Sequence, residues 1–215
     1  MIVRAVGIDA AFANMGFARV EIEVEAGRVL EIRCTELDLA STEKDKTKQV
    51  RVSSDRLRRG TELKMMMDLN CAGVTYAFAE VPSGTQNAAA AFGLGIATGI
   101  LCCCPVPIIE VSPMEVKAAV AGRRVQKGAS KREVIEWAAA RWPDAPWLRA
   151  EHKARSKNGV LPAGRLLDDN EHLADALASV AAGVETPEFK RLIQLLESKP
   201  HAAASPAPRR ARLAE

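Results

Sequence analysis

Aromatic residues are scarce: the 215-residue chain has five Phe, three Trp and one Tyr. Its core must therefore be built from Ala, Val, Leu, Ile and Met. No run free of both charged and polar residues reaches the ~18 residues that mark a membrane span, since Thr98 divides the uncharged stretch 88–109. Met1-Ile2-Val3-Arg4 reads directly into a strand, and no signal-peptide pattern stands before it. These absences predict a soluble, intracellular protein. Paired Cys-x-x-Cys or Cys/His spacing is also missing, which argues against a structural zinc site. The five cysteines are odd in number, and a reducing compartment is the natural setting. Three of them, Cys102-Cys103-Cys104, follow an apolar stretch and are expected to be small buried hydrophobes. At 48% hydrophobic and 27% charged the composition is that of a globular domain. Collagen-like, disordered and disulfide-scaffold classes are excluded.

The net charge of +3 hides an uneven distribution. Residues 41–64, 115–132, 149–165 and 198–215 together carry +16, which leaves −13 for the rest of the chain. An acidic body with concentrated basic segments fits a polyanionic partner. Solvated loops and helix faces would give the same count, so charge alone does not decide.

Hydrophobic patterning gives the order of elements. Residues 3–9, 16–24 and 29–39 read as three meandering antiparallel strands. After a polar, basic loop at 41–52, Ser53-Ser54-Asp55 can cap a helix that reaches Asn70. A buried strand at 74–81, a Pro82-Ser83-Gly84 turn and a small-residue helix at 86–103 follow, and Pro105 stops that helix. Next come a strand at 106–111, a helix opened by Ser112-Pro113 and a helix at 130–142. The basic stretch 143–168 has no clear period and reads as a long loop. Helices over 171–182 and 187–196 end the domain. The predicted fold class is α/β: a mixed five-stranded sheet, with three antiparallel strands and then alternating α and β units, flanked by helices. Residues 1–197 form one domain, and 198–215 a disordered basic tail.

Three acidic positions share a location. Asp9 ends the first strand and Glu80 the fourth. If these strands are neighbours, the two carboxylates sit side by side. His172 and Asp175 are three apart on a later helix and face the same way. Such a cluster repels itself unless divalent cations neutralise it. Mg²⁺ takes oxygen ligands, and a pair of ions can clamp the attacking and leaving oxygens of a phosphodiester. Read singly, Asp9 is also an ordinary strand end and His172 an ordinary surface histidine. Glu110 and the Asp168-Asp169 pair are alternative carboxylates, although Asp168-Asp169 fit a helix start better.

The ordered segments Val6-Gly7-Ile8-Asp9, Asn14-Met15-Gly16-Phe17, Phe78-Ala79-Glu80, Asn87, Gly95, Gly99, Val116-Lys117, Gly122, Gly128-Ala129-Ser130-Lys131 and His172 to Leu177 resemble those of RuvC-type Holliday-junction resolvases, in the ribonuclease H-like nuclease superfamily. The resemblance covers roughly residues 3–184. It implies a homodimer that nicks four-way DNA junctions symmetrically with Mg²⁺ or Mn²⁺, two ions per site, in the cytoplasm of a prokaryote or a phage-infected host. It places metal-binding carboxylates at Asp9, Glu80 and Asp175, and puts His172 where many members have Asp and some have His. A neutral imidazole there favours Mn²⁺ over Mg²⁺. Lys117 and Lys131 match basic positions near the scissile phosphate, and Arg123, Arg124 and Lys127 lie between them. Lys153, Arg155 and Lys157 are expected on backbone phosphates. The chain departs from the family pattern at Ser83, where an aromatic often stacks at the junction centre. Its basic stretches 44–59 and 149–165 are longer than in the compact bacterial enzymes, as in divergent, phage-type members. The competing expectations are a junction binder that does not cut and a ribonuclease H acting on RNA–DNA hybrids. An actin-like ATPase would need a second domain and a second glycine-rich phosphate loop. Neither a nucleotide cofactor nor a membrane is expected.

Overall fold

Residues 1–47, 51–81, 84, 87–122, 130–156 and 159–198 are described by a computed structural model. Three strands, β1 (Ile2–Asp9), β2 (Asn14–Glu25) and β3 (Arg28–Ser41), form the antiparallel meander. Ala26 and Gly27, both at positive φ, turn the chain between β2 and β3, as a two-residue hairpin requires. Helix α1 (Val52–Cys71) crosses to β4 (Tyr76–Glu80), and α2 (Ala88–Cys102) crosses to β5 (Ile108–Val111). Both β4 and β5 run parallel to β1, giving the sheet order β3-β2-β1-β4-β5. The expected adjacency of the first and fourth strands is present.

Helices α3 (Pro113–Ala121), α4 (Lys131–Arg141), α5 (Asn170–Gly183) and α6 (Pro187–Ser198) complete the domain. Ser112 and Ser130 each close a capping box with the glutamate three residues on, worth about 1 kcal/mol per cap. Among the described residues no helix is long and apolar enough to cross a membrane.

The sheet separates two apolar layers. Val3 and Ala5 of β1, Phe78 of β4 and the even-numbered residues 18–24 of β2 pack against α4, α5 and α6. Val6 and Ile8, Ala77 and Ala79, and Met15 and Phe17 face α1 and α2. Strand periodicity of two therefore assigns Asp9, Glu80 and Asn14 to the α5 side.

Several expectations need correction. The 143–168 stretch is not without structure: it holds a short hairpin, β6 (Ala154–Ser156) with β7 (Gly159–Leu161), and an Arg149–Leu166 bridge. Trp142, Ala145, Trp147 and Leu166 anchor its ends in the core, and Asn170 bonds Leu148 through both its amide nitrogen and oxygen. Helix α1 has Arg51 at its N-cap and no side-chain cap. Asp55 instead lies inside the first turn, bonded to Arg58 and to the Asp45 N–H. Strands β4 and β5 each start two residues later than the pattern predicts. Asp169 is at the α5 N-cap without a capping hydrogen bond. Cys102 and Cys103 are exposed rather than buried, because among the described residues no further layer covers that side of α2; Cys104 is half-buried. Ser83, the 82–83 part of the turn and the 199–215 tail lie outside the described residues.

Candidate active site

Asp9 pairs across the sheet with Gly16, and Glu80 directly follows Ala79, the partner of Ile8. The two carboxylates thus end neighbouring parallel strands on one face. Helix α5 lies on that face at backbone distance. A Cβ at Gly7 would be 2.1 Å from the Ala176 carbonyl oxygen, and one at Gly16 would be 2.2 Å from that of His172. Only glycine admits the helix so close, and this closeness brings His172 and Asp175 to the strand ends. His172 Nδ1 lies 2.7 Å from Asp9 Oδ2. Its Nε2 lies 3.3 Å from Asn14 Nδ2. With the amide NH₂ donating to Nε2, the neutral ring carries its proton on Nδ1 and donates it to Asp9.

The electrostatics are those of a cluster short of positive charge. Burial pushes the Asp175 carboxyl up to about 7, helped by the charges of Asp9, Glu171 and Glu80. Glu80 is raised by burial and by Asp9, with Lys117 opposing. His172 is raised by its hydrogen bond to Asp9. Three carboxylates and an imidazole form the oxygen-rich donor set that a hard divalent cation accepts. As the side chains stand, no group of three or more His, Cys, Asp or Glu among the described residues is arranged around a metal position. His172 is turned onto Asp9 instead. The donor chemistry fits a cation, while the rotamers are those of a site that neutralises itself by a hydrogen bond.

The basic residues divide. Lys117 is exposed on α3 and acts on Glu80 electrostatically. Lys131 is held by Glu171 at 2.6 Å and reaches Asp175 only through its field. Lys153 is exposed just before β6, and the Arg155 backbone pairs with Val160. Arg123, Arg124, Lys127 and Lys157 lie outside the described residues. Glu110 is apart from the cluster, beside Glu115 and Arg191, and Asp168 and Asp169 are exposed at the helix start. Asn14 and Glu171 were not predicted as site residues. Asn14 stood inside the Asn-Met-Gly-Phe segment, and the only sign of its role is strand alternation that aligns it with Asp9.

Two solved structures of Thermus thermophilus RuvC superpose on this framework. The one in complex with a Holliday junction substrate is 20% identical, over 84% of this chain and 92% of that one, with a TM-score of 0.54. The other matches over the same shares at 20% identity and a TM-score of 0.53. The chain has the RuvC fold. This is the ribonuclease H-like arrangement of a mixed five-stranded sheet flanked by helices. The yeast mitochondrial Holliday junction resolvase is similar at 12% identity, over 90% of this chain and 86% of that one, with a TM-score of 0.45. No family model and no curated protein matches the sequence. Asp9 and Glu80 end the adjacent parallel strands β1 and β4, and α5 packs across that face.

Proposed function

We propose that the chain is a divalent-metal-dependent endonuclease that resolves four-way DNA junctions by paired, symmetric nicks. The observation that carries this reading is the convergence of Asp9, Glu80, His172 and Asp175, with two of the carboxyls and the imidazole all driven toward their protonated forms. A protein that only binds DNA gains nothing from buried negative charge facing phosphates. The RuvC fold supports the same assignment, and one of its matched structures was solved with a Holliday junction substrate.

Asp9, Glu80 and Asp175 would hold Mg²⁺ or Mn²⁺, two ions per site, with His172 as a fourth ligand or proton carrier. When bound, the ions would activate water and stabilise the leaving 3′ oxygen of the phosphodiester. The chain's own residues do the rest. His172, held between Asp9 and Asn14, can keep or pass a proton at Nδ1. Lys117 offsets the charge on Glu80 and faces the approach of the scissile strand. Lys131, Lys153, Arg155 and Lys157, with Arg123, Arg124 and Lys127, would supply backbone contacts that weaken with salt.

Symmetric nicking needs two sites, hence a homodimer. Helix α2 carries no charged residue, yet Leu57, Met65, Ile96, Gly99 and Ile100 border an open groove of about 650 Å³ between α1 and α2. An uncharged helix left facing solvent fits a second copy of the chain. The working compartment would be the cytoplasm.

The test compares a labelled immobile junction, matched duplex and RNA–DNA hybrid in Mg²⁺, Mn²⁺ and EDTA, with Glu80→Gln and Asp175→Asn beside the wild type. Paired nicks in the junction that vanish in EDTA and in both variants are expected. Tight binding without cutting would make the protein a junction binder. Cutting confined to the hybrid would make it a ribonuclease H.

A further inference from the structure

The end of the sheet opposite Asp9 and Glu80 holds a pair of thiols that the metal chemistry does not use. Cys71 is the last residue of α1, shortly before β4, and Cys104 lies in the turn after α2, shortly before β5. Strands β4 and β5 are paired in parallel, with Ala77 beside Ile108. Two successive helix-to-strand turns therefore bring together cysteines that stand 33 residues apart in the chain, and their Sγ atoms lie at 3.7 Å.

Three features separate this pair from two small apolar side chains in contact. Cys71 is 2% exposed, with Met67 Sδ also 3.7 Å from its sulfur, so it is shielded from reagents; Cys104 is half-buried and can be reached. Cys104 follows α2 rather than belonging to it. Its N–H donates to the Leu101 carbonyl at 2.9 Å and Pro105 comes next, so its side chain can turn toward Cys71 without disturbing the helix. Finally, the Cys71 thiol, the Val106 N–H and the Lys64 charge outweigh burial and Asp68 and hold the Cys104 thiol down to about 7. That supplies thiolate, the form that attacks electrophiles. Neither cysteine borders the α1–α2 groove assigned above to a second copy.

We propose that Cys71 and Cys104 form a covalent modification site, a dithiol that a hydroperoxide converts to an intrachain disulfide and that a reducing thiol restores. The Cys104 thiolate attacks the terminal oxygen of the hydroperoxide. An S–O bond forms as the O–O bond breaks, and the departing alkoxide or hydroxide takes up the proton that Cys104 released. Cys104 is then a sulfenic acid. The Cys71 sulfur attacks the Cys104 sulfur, the S–S bond forms, the S–O bond breaks, and hydroxide leaves with the Cys71 proton as water. Two thiols and one hydroperoxide thus give one disulfide, one alcohol or water, and one water. The sulfurs need only close from 3.7 Å to about 2 Å. The bond staples the end of α1 to the end of α2, far from the carboxylate cluster.

The test exposes the full, reduced chain in EDTA to a slight excess of hydrogen peroxide. Remaining thiols are capped with iodoacetamide after unfolding, and peptides are mapped by mass spectrometry with and without reductant. The thiol count should fall by two from five, with a Cys71–Cys104 linked peptide, and dithiothreitol should restore it. The linked protein should run as a single chain on a denaturing, non-reducing gel and unfold about 5–10 °C higher than the reduced form. A Cys102→Ser, Cys103→Ser double variant should link as the wild type does. Cys71→Ser should leave Cys104 as a sulfenic acid that dimedone traps. Linkage through Cys102 or Cys103 overturns the proposal, as does a disulfide between chains. So does oxidation of Cys104 without a link, or a linked chain no more stable than the reduced one. Mapping of the wild type alone decides the matter if Cys71→Ser does not fold. None of these readouts depends on DNA cleavage, so they stand or fall apart from the nuclease reading.

Discussion

His172 Nδ1 donates to Asp9 Oδ2 across 2.7 Å, which places an imidazole proton where a metal ion would otherwise meet the carboxylate. A cation bound at Asp9 would displace this hydrogen bond, and the imidazole would offer it a softer ligand than a fourth carboxylate. His172→Asp should shift metal preference toward Mg²⁺. The ratio of junction-nicking rates in Mn²⁺ and Mg²⁺ should fall about ten-fold or more relative to wild type. An unchanged ratio would mean that His172 does not ligate.

The metal-free cluster should make stability fall as pH rises. Asp175 titrates near 7 in the folded chain against about 3.9 when unfolded. The folded state therefore binds the extra proton between those values, and the stability this gives is lost as pH climbs from ~4 to ~7. His172, raised above its ordinary value, acts in the same sense: its contribution is full below ~6.5 and disappears as pH passes its folded value. The lowered carboxyls of Glu115 and Glu133 matter only at more acidic pH. In EDTA the Tm should drop between pH 5 and pH 8, and Asp175→Asn should remove most of the drop. That variant should gain up to about 4 kcal/mol over wild type at pH 8. Added Mn²⁺ should raise the wild-type Tm at pH 8 more than at pH 5 and leave the variant almost unmoved. A flat Tm in EDTA would show that Asp175 ionises freely.

The placement of Asp9 beside Glu80 was legible because it depends on little beyond strand order. A three-strand meander followed by a helical crossover puts the fourth strand next to the first. The three-residue spacing of His172 and Asp175 needed only helix geometry. Asn14 and Glu171 were not legible as site residues. Their roles depend on how far along the sheet α5 sits, which is fixed by contacts at Gly7 and Gly16 between segments some 160 residues apart. The β6–β7 hairpin escaped because Ala-Arg-Ser and Gly-Val-Leu are too short to show alternation. Cys102 and Cys103 misled for a different reason: an all-apolar helix reads as buried, and among the described residues nothing covers the side of α2 that carries them.

Cys104 should be the most easily ionised of the described thiols. Cys71 Sγ lies 3.7 Å from Cys104 Sγ, and the Cys71 thiol and the Val106 N–H both stabilise a Cys104 thiolate, which lowers its pKa. The same contact, with burial, raises Cys71. Alkylation by iodoacetamide, followed by mass spectrometry at pH 6–9, should label Cys104 at lower pH than the exposed Cys102 and Cys103. Cys71→Ala should move the Cys104 profile upward by roughly one pH unit, the scale of a lost hydrogen bond to a charged group. Identical profiles for all three cysteines would remove the Cys71 thiol as donor.

Gly16→Ala tests whether backbone contact sets the site. The added methyl would meet the His172 carbonyl at 2.2 Å, with His172 Cβ at 3.1 Å. The chain can relieve this only by lifting the first turn of α5. Overpacking of this kind costs about 1–3 kcal/mol, so a folded but less stable protein is expected. The displaced turn carries His172 away from Asp9 and Asn14, and the raised pKa of the imidazole should fall back toward its ordinary value, visible in the NMR titration of its ring protons. Nicking should fall at least a hundred-fold, as ~1 Å misplacement of reacting groups does. DNA affinity in EDTA should fall far less than nicking, since most of the basic residues lie away from the displaced turn, Lys131 with its partner Glu171 excepted. Full activity in a folded Gly16→Ala protein would mean that α5 can be moved without cost to the chemistry, and that His172 and Asp175 are not its centre.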